Sequence, residues 1–70
     1  MYTVTYTAST GQPANVHGQY TSRRAAQAGA SEARGNLIQY SGGDVRIISD
    51  SGETIDRWIA TERGIERVSV

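Results

Sequence analysis

The fold is decided by residues 45–61, which read VRIISDSGETIDRWIAT. Two runs rich in β-branched residues, 45–49 and 54–61, are separated by Asp50-Ser51-Gly52. A three-residue hairpin loop usually pairs a type I turn with a glycine in the left-handed region. The stretch therefore predicts two antiparallel strands joined by a tight turn, with Gly52 in the left-handed position.

The turn also predicts which residues of the hairpin face each other. A three-residue loop pairs Ser49 with Glu53, and the following pairs are Ile48–Thr54, Ile47–Ile55, Arg46–Asp56 and Val45–Arg57. A two-residue loop would place Arg46 opposite Arg57, and like charges directly opposite each other destabilise a strand pair. We therefore predict the register of the three-residue loop.

This register separates the hairpin into two faces. One face is predicted to pack beneath a helix, and it carries Val45, Ile47, Ile55 and Ile59. The other face is predicted to be open, and it carries Ile48, Trp58, Ala60 and the Arg46–Asp56 pair. The alternative is a register displaced by one residue, which would place Trp58 in the core.

The N-terminal half predicts two more strands and a helix. Residues 2–8 alternate tyrosine, valine and alanine with threonine, and residues 16–20 alternate again. Apolar residues then recur at spacings of three and four, with Thr21 or Ser22 as the N-cap: Ala26, Ala30, Ala33, Leu37 and Tyr40. We predict a helix that closes at Gly42-Gly43, although Gly29 and Gly35 each cost it about 1 kcal/mol. The alternative ends the helix at Gly35-Asn36 and makes residues 37–41 a short strand.

The order of these elements predicts the fold class. Strand, strand, helix, strand, strand is typical of an α+β fold with two layers, in which one helix covers one face of a four-stranded antiparallel sheet (ββαββ). We expect a single domain over residues 1–70. Residues 62–70 show no clean period and predict either a short fifth strand or a tail that docks on a partner. Small domains without disulfides often oligomerise, so we also expect a homodimer through residues 65–70.

Composition and charge exclude several classes of function. Seven arginines balance seven acidic residues, whereas a general nucleic-acid binder has a basic excess. The lack of lysine is typical of a GC-rich genome, and also of surfaces that use arginine to bind a partner. No apolar run approaches the roughly 20 residues that cross a bilayer, and no leader segment opens the sequence. We therefore expect a cytoplasmic protein with no membrane partner.

The sequence predicts no catalytic, cofactor or metal site. His17 is the only histidine, and no serine lies in a Gly-x-Ser-x-Gly motif, so a hydrolytic triad is not indicated. One histidine without cysteine does not provide the ligands of a zinc site. We expect His17 to be an exposed strand residue and the protein not to be an enzyme.

The candidate binding residues lie on the predicted open face and at the start of the helix. Trp58 and Ile48 beside an arginine have the composition of an interface hot spot. Two arginines at the helix N-terminus add cations where the helix dipole favours anions. The predicted partner-binding set is Trp58, Ile48, Arg46, Asp56, Arg23 and Arg24. It favours a protein partner; the alternative is a nucleic-acid-binding accessory protein that stacks bases on the open face.

The helix and the hairpin resemble those of several small phage-encoded proteins, including some anti-CRISPR proteins. The resemblance rests on the alanine-rich helix 24–33, on Val45-Arg46-Ile47-Ile48, on the turn Asp50-Ser51-Gly52 and on Trp58, and it covers about half of the chain. The order of elements is also similar to that of small uncharacterised bacterial domains. The resemblance to anti-CRISPR proteins implies a non-enzymatic inhibitor that binds a Cas surveillance complex in the host cytoplasm. It assigns no functional residue.

Overall fold

The computed structural model describes residues 1–7, 13–37 and 42–69. Their elements are one helix and five strands: β1 (Tyr2–Thr7), β2 (Asn15–Tyr20), α1 (Arg23–Leu37), β3 (Asp44–Ile48), β4 (Thr54–Thr61) and β5 (Gly64–Val68). The strands form one antiparallel sheet in the order β2-β1-β3-β4-β5. Because β2 and β3 flank β1, the connection through α1 passes over β1. Within the described residues, no helix is long and apolar enough to span a membrane.

The predicted α+β fold, with one helix and an antiparallel sheet, is confirmed. The C-terminal segment forms the fifth strand, which pairs with β4 through Ala60 and Ile65. Ser22 is the N-cap, since its Oγ accepts a hydrogen bond of 3.1 Å from the amide of Ala25. The helix continues through Gly35 and Asn36, so the alternative that ended it there is wrong. The predicted closure at Gly42-Gly43 depends on residues 38–41, which lie outside the described residues.

The β3–β4 hairpin confirms the predicted turn and corrects the predicted register. Gly52 has a φ of 86°, and the amide of Ser49 donates to the carbonyl of Glu53 at 2.9 Å. Beyond the first strand pair, Ile48 with Thr54, a β-bulge adds one residue to β4 at Ile55. The three remaining predicted pairs are therefore wrong by one residue: Ile47 faces Asp56, Arg46 faces Arg57 and Val45 faces Trp58.

The bulge turns Trp58 and Asp56 towards α1. Side chains alternate along a strand, so a shift of one residue moves each following side chain to the opposite face. Trp58 is 9% exposed and Ala60 6%, and their predicted place on the open face is wrong. Ile59, predicted beneath the helix, lies on the open face instead, whereas Ile55 packs against the core as predicted. Burial of the large indole removes more apolar surface from water than burial of Ile59 would.

The core lies between α1 and the neighbouring strands β2, β1 and β3. Three alanines on the helix, Ala26, Ala30 and Ala33, allow it to lie close to the sheet. The other buried residues of the core come from the strands: Val4, Val45, Ile47 and Trp58. The phenol of Tyr20 crosses the helix at Gly29, where an added Cβ would come within 2.8 Å of the ring carbon Cε2. Gly29 is thus required for the close approach of this ring, which the sequence did not predict.

Candidate binding site

The structure divides the predicted binding residues between the two faces of the sheet. Trp58, Asp56 and Arg23 lie on the side of the helix, whereas Ile48 and Arg46 lie on the open face. Arg24 is exposed on α1. The predicted grouping of Trp58 and Asp56 with Ile48 and Arg46 on one face is therefore wrong.

Asp56 is the centre of the group on the helix side. Its side chain is 1% exposed, and its two oxygens accept hydrogen bonds from two arginines. Nη2 of Arg23 lies 3.2 Å from Oδ2, and Nη2 of Arg67 lies 2.6 Å from Oδ1. A buried carboxylate must be paired, because desolvation of an unpaired charge is costly. The resulting ion triad connects the first residue of α1 to β5.

Asp56 uses only part of the binding capacity of its two arginines. The side chain of Arg23 is 52% exposed and that of Arg67 is 65% exposed. Each donates to Asp56 through Nη2, and a guanidinium carries five N–H donors. Two cations on one carboxylate leave a net charge of +1. Asp56 therefore holds two guanidinium groups in place through one nitrogen of each.

A third arginine extends this group along the helix. Cζ of Arg34 lies 4.5 Å from the centroid of the Trp58 ring, which is a cation–π contact. Arg23 and Arg34 lie on the same side of α1, and their Cα atoms are about 16 Å apart along the helix axis. Arg67 lies opposite Trp58 in the β4–β5 pair. We call Arg23, Arg34, Asp56, Trp58 and Arg67 the arginine cluster.

Apolar surface adjoins the arginine cluster. A pocket beside Arg67 is lined by Ile55, Val68 and Ser69 in addition to Arg67 itself. Ile55 and Ile65 are partly buried against the core, and both belong to the strands at the margin of the helix. The cluster therefore joins exposed guanidinium donors to a small apolar surface.

The open face carries a separate ion cluster around Asp44. Arg46 and Arg57 lie opposite each other, although the predicted register was chosen to avoid this pair of like charges. Asp44 resolves the repulsion by accepting hydrogen bonds from both, at 2.7 Å from Nη2 of Arg57 and 3.2 Å from Nη2 of Arg46. Asp44, and not the predicted Asp56, is therefore the partner of Arg46.

These contacts shift the pKa values of both partners. Burial raises the pKa of Asp44, but the hydrogen bonds from Arg57 and Arg46 outweigh it and hold this pKa below its usual 3.8. The hydrogen bond to Asp44 raises the pKa of Arg57. Both residues are thus charged across the physiological range, and with Arg46 they leave a net charge of +1 at the centre of the open face.

The rest of the open face mixes threonines with a few aliphatic side chains, and the described residues give it no stacking platform. Threonines of β1 lie beside β3, with Thr3 opposite Ile48, Thr5 opposite Arg46 and Thr7 opposite Asp44. Among the described residues, the aromatic side chains pack on the helix side instead: Tyr2, Tyr6, Tyr20 and Trp58. The open face therefore lacks, within the described part of the chain, the aromatic rings that single-strand binders use to stack bases.

His17 is half-buried, not exposed as predicted. Its ring makes an edge contact with Tyr6 at a centroid distance of 6.3 Å, and Nε2 lies 3.9 Å from Oε1 of Glu32. Its side chain is 18% exposed. The described ranges 1–7, 13–37 and 42–69 contain no group of three or more side chains that could hold a metal ion.

No protein-family model, curated protein or solved structure matches this chain. The resemblance to small phage-encoded inhibitors therefore rests on the sequence pattern alone.

Proposed function

We propose that this protein is a non-enzymatic, protein-binding inhibitor, encoded by a phage, that binds a host CRISPR–Cas complex through the arginine cluster and blocks it. The observation that carries this proposal is the pair of half-exposed arginines, Arg23 and Arg67, held on the buried carboxylate of Asp56. The class of target comes from the sequence resemblance.

The geometry of the cluster suits a protein interface. Interface hot spots are enriched in arginine and tryptophan, and they combine apolar contact with a polar rim. Arg23 and Arg67 are already held by Asp56, and Arg34 already lies on the ring of Trp58. Less side-chain entropy is therefore lost when a partner binds, which favours affinity.

The chemistry of the cluster suits binding better than catalysis. Arginine does not lose its proton in proteins, so the three guanidinium groups cannot act as general acids or bases. Both oxygens of Asp56 are engaged by arginines, and its side chain is buried. The cluster thus offers fixed positive charge and hydrogen-bond donors, which are tools of recognition.

A plasmid-interference assay tests the proposal. The chain is expressed in strains that each carry one type of CRISPR–Cas system and a plasmid with its matching target. We expect plasmid retention to be restored in one of these strains, and a purified Cas complex from that strain to retain the chain on a column after nuclease treatment. Retention in no strain, with the chain expressed and folded, would refute the proposed target.

Two variants connect the effect to the arginine cluster. Arg67→Ala removes one exposed guanidinium of the cluster, whereas Arg63→Ala removes an equally charged, exposed side chain in the turn between β4 and β5. Arg67→Ala is expected to weaken plasmid protection while Arg63→Ala preserves it. Equal effects of both variants, with both folded by circular dichroism, would place the binding site elsewhere.

A further inference from the structure

The chemistry of the arginine cluster also identifies the kind of segment that it binds, an inference that rests on the proposed function as a protein binder. We infer that the occupant is an acidic peptide segment of the partner protein, in an extended conformation, whose carboxylates pair with Arg23 and Arg67 at one end and with Arg34 at the other.

Charge is the first argument for an acidic occupant. The cluster holds three arginines and one carboxylate, so it carries a net charge of +2 in a chain whose formal net charge is zero. The ion cluster around Asp44 carries +1, so the arginine cluster is the more positive of the two. A surface of this sign attracts a partner segment of opposite sign and repels a basic one.

The donor geometry points to carboxylates as the anions. Arg23 and Arg67 bind the two oxygens of one carboxylate, which brings their guanidinium groups close enough for a second carboxylate to bridge them. The planar fork of arginine matches the two oxygens of a carboxylate, and such bidentate pairs are among the stronger hydrogen bonds. Each guanidinium uses Nη2 for Asp56, and its Nε and Nη1 carry further N–H donors that suit such a partner.

The length of the cluster sets the length of the segment. Arg23 and Arg34 are separated by about 16 Å along α1, and an extended chain covers this distance in about five residues. Residues one and five of an extended segment project from the same face, since side chains alternate along a strand, and they are about 13 Å apart. The length of the arginine and acidic side chains covers the remaining distance of about 3 Å. Two acidic residues at this spacing would reach both ends of the cluster.

A nucleic-acid backbone fits this surface less well. Single-stranded nucleic acids are bound by combining a basic groove with exposed aromatic rings. The Trp58 ring is 9% exposed and is already covered by Arg34. The cluster therefore offers no exposed ring on which a base could stack, whereas an acidic peptide needs none.

Nuclear magnetic resonance of the full chain, labelled with ¹⁵N, tests this inference directly. The probe is an acetylated octapeptide with glutamates at positions two and six, and the matched control carries glutamines there. At millimolar peptide and low salt, we expect saturable shifts of the Nε–H signals of Arg23, Arg34 and Arg67 and of the Trp58 indole. The glutamine peptide should bind at least about tenfold more weakly.

Variants separate the recognition of carboxylates from the folding of the site. Arg67→Lys keeps the positive charge and one bond to Asp56 but loses the fork, so we expect peptide affinity to fall severalfold at an almost unchanged melting temperature. Arg34→Gln removes a guanidinium that contacts the Trp58 ring and not Asp56, and it should weaken peptide binding without unfolding the chain. Arg57→Lys on the open face is the control and should leave binding unchanged.

The failures of the two proposals are distinguishable. Absence of saturable shifts, shifts centred on Arg46 and Arg57, or tighter binding of a thymidine oligonucleotide at the same signals would overturn the acidic segment. Peptide binding at the cluster without plasmid protection would instead refute the CRISPR–Cas target and support the recognition of carboxylates.

Discussion

Replacement of Gly29 by alanine is expected to destabilise the protein, although alanine is the better helix former. In the interior of a helix, alanine is favoured over glycine by about 1 kcal/mol. At Gly29, however, the new Cβ would come within 2.8 Å of Cε2 of Tyr20, and closer still to its Cζ and Oη. Gly29 is buried, and Tyr20 packs against the core.

The ring of Tyr20 has little room to move away. On its other side lies Gly18, where an added Cβ would be 2.8 Å from the same phenol oxygen. Overpacking of this kind costs about 1–3 kcal/mol. After the helix propensity of alanine is subtracted, Gly29→Ala should lower the free energy of unfolding by up to about 2 kcal/mol.

Gly35 provides a matched control on the same helix. It is exposed, and a Cβ there would meet no atom within 4 Å. Gly35→Ala should therefore raise stability by up to about 1 kcal/mol. For a domain of this size, 1 kcal/mol corresponds to about 4–8 °C in melting temperature, so circular dichroism melts resolve the two effects.

A third variant tests whether the clash itself is responsible. Tyr20→Leu in the Gly29→Ala background removes the ring and should recover part of the loss, with a coupling energy above about 0.5 kcal/mol in the double-mutant cycle. The reasoning is refuted if Gly29→Ala raises the melting temperature as much as Gly35→Ala does.

Three further predictions follow from the packing, the charges and the sheet edge. Trp58→Ala should lower the free energy of unfolding by about 3–5 kcal/mol, because the indole lies in the core. Urea unfolding measures this loss, and an unchanged free energy of unfolding would place the ring on the open face. The carboxylate of Asp44 should stabilise the fold fully above its usual pKa of 3.8, and this contribution is lost as the pH falls through the lower pKa of the folded state. Asp44→Asn should therefore lower the free energy of unfolding by about 1 kcal/mol near neutral pH. It should also make the melting temperature fall less steeply at acidic pH. Deletion of residues 65–70 should weaken the expected homodimer, since it removes most of edge strand β5. Light scattering of the intact chain tests this, and a monomer mass at every concentration would contradict the dimer.

Local patterns in the sequence were sufficient to predict most of the elements. The alternation in β1, the spacing of alanines in α1, the Ser22 cap and the left-handed Gly52 all depend on residues within a few positions of one another. Such features are determined by side-chain period and backbone sterics, which act along the chain. The fold class followed from their order.

The composition of the candidate site was only partly visible in the sequence. The sequence predicted Arg23, Asp56 and Trp58 as partner-binding residues, but it did not predict Arg34 or Arg67. Arg34 had a readable signal, since it follows Arg23 by three turns on the same side of a predicted helix. Arg67 had none, because its place beside Asp56 depends on how β5 pairs with β4.

The tertiary structure alone decided which face of the sheet each residue of β4 joined. The predicted register avoided an Arg46–Arg57 contact, and that local argument could not include Asp44, which neutralises both arginines from the end of β3. It also could not include the gain from burying Trp58 beneath α1. The extra residue at Ile55 shifts every following side chain of β4 to the other face of the sheet. This shift both buries Trp58 and brings Arg57 beside Asp44, and these contacts join residues that are distant in the sequence.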